Sequence, residues 1–151
     1  MQRTVAIDTP TQTGQTISVS GWVNSRRDHG GLIFIDLRDH TGVVQLVINP
    51  DRAEAFGLAE HVRDEYVLRV SGPVKDRDEG LKNPNIVTGG IEIVVDSLEV
   101  LNKSEPLPVA TRDEGQQSNE ELRLKYRYLD LRRPSMQTTL RKRSEYYKVL
   151  R

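Results

Sequence analysis

The 151-residue chain contains no cysteine, which excludes both a disulfide framework and a thiolate metal centre. Its three histidines, His29, His40 and His61, are scattered without metal-ligand spacing, so no metal site is expected. Aromatic side chains are scarce, with two Phe, one Trp and five Tyr. No run approaches the roughly 20 apolar residues needed to span a bilayer, and the opening MQRTVAIDTP lacks the apolar core of a secretory signal, so no membrane partner and a cytoplasmic location are expected. A net charge is missing too, because 22 Lys and Arg balance 22 Asp and Glu. That balance conceals a division. From Arg123 to Arg151 ten basic residues stand against Asp130 and Glu145, a net of +8, so residues 1–122 carry −8. An acidic region has no broad basic field, and any nucleic acid it binds must be held by a few placed contacts.

What the sequence does have is period-2 alternation. Between Leu32 and Asp39 it sets Ile33, Ile35 and Leu37 on one face and Phe34, Asp36 and Arg38 on the other. The preceding TISVSGWVNSRR alternates Ile17, Val19, Gly21 and Val23 against Ser18, Ser20, Trp22 and Asn24, with Gly21 suggesting a bulge or bend. The following strand sets Val44, Leu46 and Ile48 inward, with Gln45 opposite beside Val43 and Val47. Gly30-Gly31 and His40-Thr41-Gly42 are short turns, making a three-strand meander. Asn49-Pro50-Asp51 then predicts a helix start, with Asn49 as cap and Pro50 at the first position, leading into Ala53, Phe56, Leu58, Ala59 and Val62. A fourth strand over 65–75 turns Tyr66, Leu68 and Val70 inward, and Pro73 marks where its ladder ends or becomes an edge. After a long loop over 76–90, a fifth strand over 90–101 buries Ile91, Ile93 and Val95 and leaves Glu92 outside.

The expected fold class is therefore mainly β. Five strands with a helix between the third and fourth is the order of an OB-fold, a five-stranded Greek-key barrel whose central strands bind oligonucleotides. Beyond residue 105 the Pro-, Gly- and polar-rich stretch 106–118 reads as a linker, and residues 119–151 as helices. Ser118-Asn119-Glu120-Glu121 predicts a capping box and a helix running toward Arg133. Pro134 opens a second helix in which Met136, Leu140, Tyr147 and Leu150 line one side. A chain ending within that stripe, with nothing to cover it, reads as a fragment of a larger protein.

The chemistry gathers around Phe34. A ring on the polar face, an amide at Gln45 and cations at Arg26 and Arg27 provide a stacking platform, an edge-reading hydrogen-bonder and phosphate contacts for single-stranded nucleic acid. The alternative is that Phe34 packs under a loop or helix, and that Arg26 and Arg27 form a solvated hairpin end neutralised by Asp28. Arg27 has the parity of the core residues Val19 and Val23, so a bulge before it is needed to bring it outside.

Three runs, GWVNSRRDHGGLIFIDLRDHTGVVQ (21–45), NPN with TGGIEI (83–85 and 88–93), and LRLKYRYLDLRRP (122–134), together resemble the bacterial-type aspartyl-tRNA synthetases. The resemblance implies an anticodon-binding OB-fold over residues 1–105, then a hinge and the helical start of a class II catalytic domain. It implies that Phe34 stacks on the middle anticodon base, with Arg27 and Gln45 bonding around it. Glu92 would meet the first base, with Arg77 and Asn83 near the third. His29 and Gly80 resemble residues of relaxed forms that charge tRNA(Asn) as well as tRNA(Asp). The whole enzyme would be a homodimer using ATP and Mg2+; this chain carries no catalytic motif, no catalytic residue and no cofactor of its own.

Overall fold

Alternation becomes strand in the computed structural model, which describes residues 2–113 and 118–151. Among those residues the strands are β1 (Arg3–Thr4), β2 (Thr16–His29), β3 (Leu32–Arg38), β4 (Val43–Ile48), β5 (Val67–Asp76), β6 (Ile91–Val94) and β7 (Ser97–Asn102), with helix α1 (Ala53–Glu60) between β4 and β5. They form one sheet in the order β1-β2-β3-β4-β6-β5-β7, and β2 also pairs with β5. Seven strands replace the five expected. The short β1 adds to β2 in parallel. The single strand expected over 90–101 divides, because Val95 N–H donates to Val47 O (2.9 Å) and Asp96 N–H to Ser71 O (2.9 Å), which carries the chain from a β4 partner to a β5 partner. Pro73 is the last residue of the β2–β5 ladder, although β5 itself continues to Asp76. The proline pairs with Thr16 on the β2 side, at the point where the opposite edge passes from β7 to β6.

The core is the inward set of the alternation. Val19, Val23, Ile33, Ile35, Leu37, Val44, Leu46, Ile48, Leu68, Val70, Ile93 and Val95 are all buried in one cluster, with Phe56 and Tyr66 packed against it. Helix α1 starts later than expected. Arg52 is its N-cap without a side-chain bond, while Asn49 uses its carbonyl to accept from Arg52 N–H (3.1 Å), so Asn49-Pro50-Asp51 is a turn rather than the first helical turn. Ala55 and Ala59 face the core, whereas Leu58 stays 41% exposed.

Two local features of β2 set the geometry of the outward face. Its first half pairs with β5 and its second with β3, and the β3 register shifts between Val23 and Ser25. That shift supplies the bulge that Arg27 requires, so residues beyond it change face. The bulge is not at Gly21. There a Cβ would lie 2.3 Å from the Arg38 carbonyl oxygen, so glycine serves close approach of two backbones. Gly30 and Gly31, with φ of 60° and 80°, make the two-residue turn from β2 to β3, whose left-handed backbone suits the twist of a hairpin. The β3–β4 turn needs no such residue. Asp39 Oδ1 accepts from Thr41 N–H (2.7 Å), Thr41 Oγ1 (2.6 Å) and Gly42 N–H (3.1 Å), while its Oδ2 accepts from Ala6 N–H (2.8 Å). Burial acts to raise the Asp39 carboxyl, but these bonds prevail and hold it below its ordinary value.

The described residues fall into two compact units, Met1–Ser104 and Glu105–Arg151. Residues 114–117 of the expected linker lie outside the described residues. In the second unit the helix expected to run toward Arg133 is interrupted. Helices α2 (Glu120–Lys125) and α3 (Arg127–Asp130) meet at Tyr126, whose ψ of 46° breaks the helical path. The cap is Asn119 and not Ser118, with Asn119 Oδ1 accepting from Leu122 N–H (2.9 Å). Pro134 does open α4 (Pro134–Leu150). Asp113 binds that start, accepting from Ser135 N–H (2.7 Å), Ser135 Oγ (2.5 Å) and Arg133 Nε (3.0 Å).

Candidate nucleic-acid interface

The outward face of β2, β3, β4 and β6 is built by register. Ser25 pairs with Asp36 and Asp36 with Gln45, while Arg27 pairs with Phe34 and Phe34 with Val47. Because β4 and β6 are parallel with Leu46 opposite Ile93, Gln45 comes beside Glu92, and Glu92 pairs with Lys75 on β5. Phe34 is partly exposed on this face, outside the apolar cluster. It is therefore not a core ring.

Polar contacts join the row laterally. Arg27 Nη2 donates to both oxygens of Asp36 (3.1 and 3.2 Å), and Ser25 Oγ donates to Asp36 Oδ2 (2.6 Å). Gln45 Nε2 reaches Glu92 Oε2 at 3.5 Å, and Arg77 Nε lies 3.9 Å from the same oxygen. The sequence places Arg77 in a long loop, but the fold draws it in. Its N–H donates to Gly90 O (2.9 Å), its Nε to Ile91 O (2.9 Å), and its side chain is only 6% exposed. Arg77 Nη2 is buried with no partner. A buried donor left unsatisfied costs roughly 1–3 kcal/mol. Burial lowers the Arg77 guanidinium and raises the Glu92 carboxyl; each charge, close to the other, opposes the shift.

The other candidates are dispersed. Arg26 is committed to structure, with Nε donating to Ala59 O at the end of α1 (2.9 Å) and Nη1 and Nη2 to Asp28 (2.9 and 3.0 Å), in keeping with a solvated hairpin end. His29 ends β2 at the hairpin turn, exposed. Asn83 is exposed in the 77–90 loop, and its Oδ1 accepts from Asn85 N–H (3.0 Å). Gly80 sits in a single 3-10 turn, Glu79–Leu81, with open space where a Cβ would be. What sequence reasoning left without a role is Asp36, although its parity with Phe34 was visible in LIFIDLR. Among the described residues no cluster of His, Asp or Glu could hold a metal ion, and no helix is long and apolar enough to cross a membrane.

A family model described as an OB-fold nucleic acid binding domain, of the tRNA anti-codon family, matches residues 17–101. The chain belongs to this family. As an anticodon-binding OB domain it is 51% identical over 138 residues to an aspartate–tRNA ligase of Exiguobacterium sibiricum, covering 91% of this chain and 23% of that protein. It is equally 51% identical over 139 residues to an aspartate–tRNA(Asp/Asn) ligase of Bacillus subtilis, covering 91% and 24%. The chain thus spans about a quarter of the length of the curated relatives it matches. Among solved structures, the asparaginyl-tRNA synthetase of Pyrococcus horikoshii with asparaginyl-adenylate superposes with a TM-score of 0.72 at 29% identity, over 89% of this chain and 30% of the other. An aspartyl-tRNA synthetase of Entamoeba histolytica reaches 0.76 at 19% identity, over 87% and 32%, a likeness of fold.

Proposed function

We propose that this OB domain reads the anticodon of tRNA(Asp) for an aspartate–tRNA ligase, with Phe34 as the stacking platform and Arg27, Gln45, Glu92 and Arg77 as hydrogen-bonding groups around it. The observation that carries the reading is the placing of Arg27, Phe34, Gln45 and Glu92 in two adjacent cross-strand rows on one face of an anticodon-binding OB domain, with Arg77 directly after β5. A partly exposed ring flanked by an amide, a carboxylate and an unsatisfied guanidinium suits splayed bases recognised by stacking and by their edges. The ring of pairings from β2 through β3, β4, β6 and β5 back to β2 is, in this reading, the five-stranded barrel, with β1 and β7 as additions. Asn83 extends the row on its loop. His29 and Gly80 are the positions to vary for tRNA(Asn), since relatives at the same identity carry both the strict and the Asp/Asn name.

The parent protein, in the same proposal, is a cytoplasmic homodimer that joins aspartate to tRNA through an adenylate, and its ATP and Mg2+ chemistry belongs to residues beyond this chain. Residues 1–105 are its anticodon domain, 106–118 its hinge and 119–151 the start of its catalytic domain. A non-specific single-strand binder would instead carry several exposed rings and a basic groove, whereas Phe34 stands alone among the outward side chains of β3 and β4, in a region of charge −8.

The test is fluorescence anisotropy at near-physiological salt with three hairpins differing only in a GUC, GUU or scrambled loop. GUC is expected to bind above the scramble, and the GUU position separates strict from relaxed reading. Phe34→Ala should lose about 1–3 kcal/mol of affinity for GUC with an unchanged melting temperature. Equal binding of all three RNAs, or unfolding of the variant, would overturn the proposal.

A further inference from the structure

We propose that Asp36 is the positioning residue of this face: its carboxylate, fixed by the Ser25 hydroxyl, holds the guanidinium of Arg27, whose backbone pairs with that of Phe34. The inference rests on the anticodon reading and adds a residue to it.

Three observations carry it. Asp36 accepts from Arg27 Nη2 with both oxygens (3.1 and 3.2 Å) and from Ser25 Oγ with one of them (2.6 Å), so the carboxylate is held from one side and holds on the other. The Arg27 side chain is otherwise 57% exposed, so this carboxylate is what fixes a long, flexible chain in one place. Asp36 also lies between Ser25 and Gln45 in the cross-strand register, and its charge, like that of Arg27, is felt by buried Arg77. An acidic residue facing a polyanion is unfavourable for affinity by itself. Its place beside the exposed ring makes sense when what it provides is direction: an arginine held in one geometry discriminates between bases, whereas a free one follows phosphate of any sequence.

This makes Asp36 different from a residue of structure and from a simple repeller of RNA. Asp36→Asn keeps the shape, loses the charge and weakens the hold on Arg27. The 151-residue chain and its variants would be titrated with the GUC hairpin and with the scrambled hairpin, alongside thermal melts. The expected result is a fall of about tenfold in the GUC-to-scramble affinity ratio, an unchanged or stronger affinity for the scramble, and a steeper dependence on salt. Adding Arg27→Gln to Asp36→Asn should reduce the ratio no further, since both act through one guanidinium. Ser25→Ala, which keeps both charges, should reduce the ratio by a smaller factor and serves if Asp36→Asn melts early. Equal weakening of both hairpins would make Asp36 structural, and equal strengthening would make it a repeller; either overturns the inference. A parent chain that does not prefer GUC overturns the anticodon reading itself. A parent that does, beside an Asp36→Asn chain with the same ratio, overturns only the role of Asp36.

Discussion

The two units of this chain are held together by different physics. In the first, alternating Val, Ile and Leu side chains bury nearly all their surface in one large apolar cluster, beside which a few polar residues such as Thr9, Glu65 and Arg77 are also buried. In the second, an ion cluster is buried beside a few apolar side chains, Val109 and Leu129. Asp130 is 1% exposed and accepts from Arg127 Nη1 (2.6 Å) and Arg133 Nη1 (3.2 Å), with Arg123 Nη1 at 4.0 Å, while Leu124, Tyr128, Val149 and Leu150 are exposed. A hydrophobic core tolerates pH and salt. A buried carboxylate among guanidiniums depends instead on its partners, because removing one leaves an uncompensated buried charge. The difference explains why the strand unit can present Arg27, Phe34, Gln45 and Glu92 on its outward face without losing its fold, since those side chains are not what holds it together.

Breaking each centre separately sharpens the contrast. Leu46, fully buried, should cost about 2–5 kcal/mol when truncated in Leu46→Ala, seen as a large drop in the melting temperature of the strand unit. Asp130→Ala leaves two or three arginines without their acceptor and should cost about 3 kcal/mol. Hydrogen exchange at the amides of 127–140 should then accelerate about a hundredfold, with β2 to β5 unchanged. Equal effects of both variants on both units would mean that the units share one cooperative core. Acid should weaken both units, because Asp39 in the strand unit and Asp113 in the helical unit are each held below the ordinary carboxylate value. The Ser135 hydroxyl chiefly holds the Asp113 carboxyl below its ordinary value, so its contribution is present above that value and is lost as pH falls through the lower native one.

Most of the strand unit was legible because alternation is a local signal that the buried face enforces. Ile33, Ile35, Leu37, Val44, Leu46 and Ile48 needed no tertiary information. What sequence could not supply depended on partners distant in the chain. The division at Val95-Asp96 follows from the carbonyls of Val47 and Ser71, and the burial of Arg77 from those of Gly90 and Ile91. The end of α2 at Tyr126 had no Gly or Pro to announce it. On the outward face proposed to read the anticodon, parity put Phe34, Gln45 and Glu92 outside, where they lie. It also required a bulge before Arg27, which lies between Val23 and Ser25. It could not show that Asp36 would be bound from both sides, because Ser25 and Arg27 reach it only across a strand pair whose register the bulge resets.

The smallest expected effect concerns Glu92, where the two kinds of stabilisation meet on one face. Burial raises its carboxyl above the ordinary value of 4.5, against the opposing pull of Arg77. The native state therefore holds this proton more tightly than the unfolded chain does. Ionised Glu92 costs stability, and the cost grows as pH rises from about that ordinary value through the raised native one, then stays constant. Glu92→Gln removes the charge and keeps the shape, so at pH 7 it should be more stable than the parent, by about 0.5 kcal/mol for a partly exposed group. Below pH 4, where both side chains are neutral, the two melting temperatures should coincide. A glutamine cannot accept from a guanine edge with two anionic oxygens, so the same variant should lose preference for G at the first loop position while keeping its preference at the second. A variant that is less stable at neutral pH would show that the attraction between Glu92 and Arg77 outweighs burial. A variant that keeps its first-base preference would move Glu92 out of the reading row and leave it as a partner that keeps Arg77 in place.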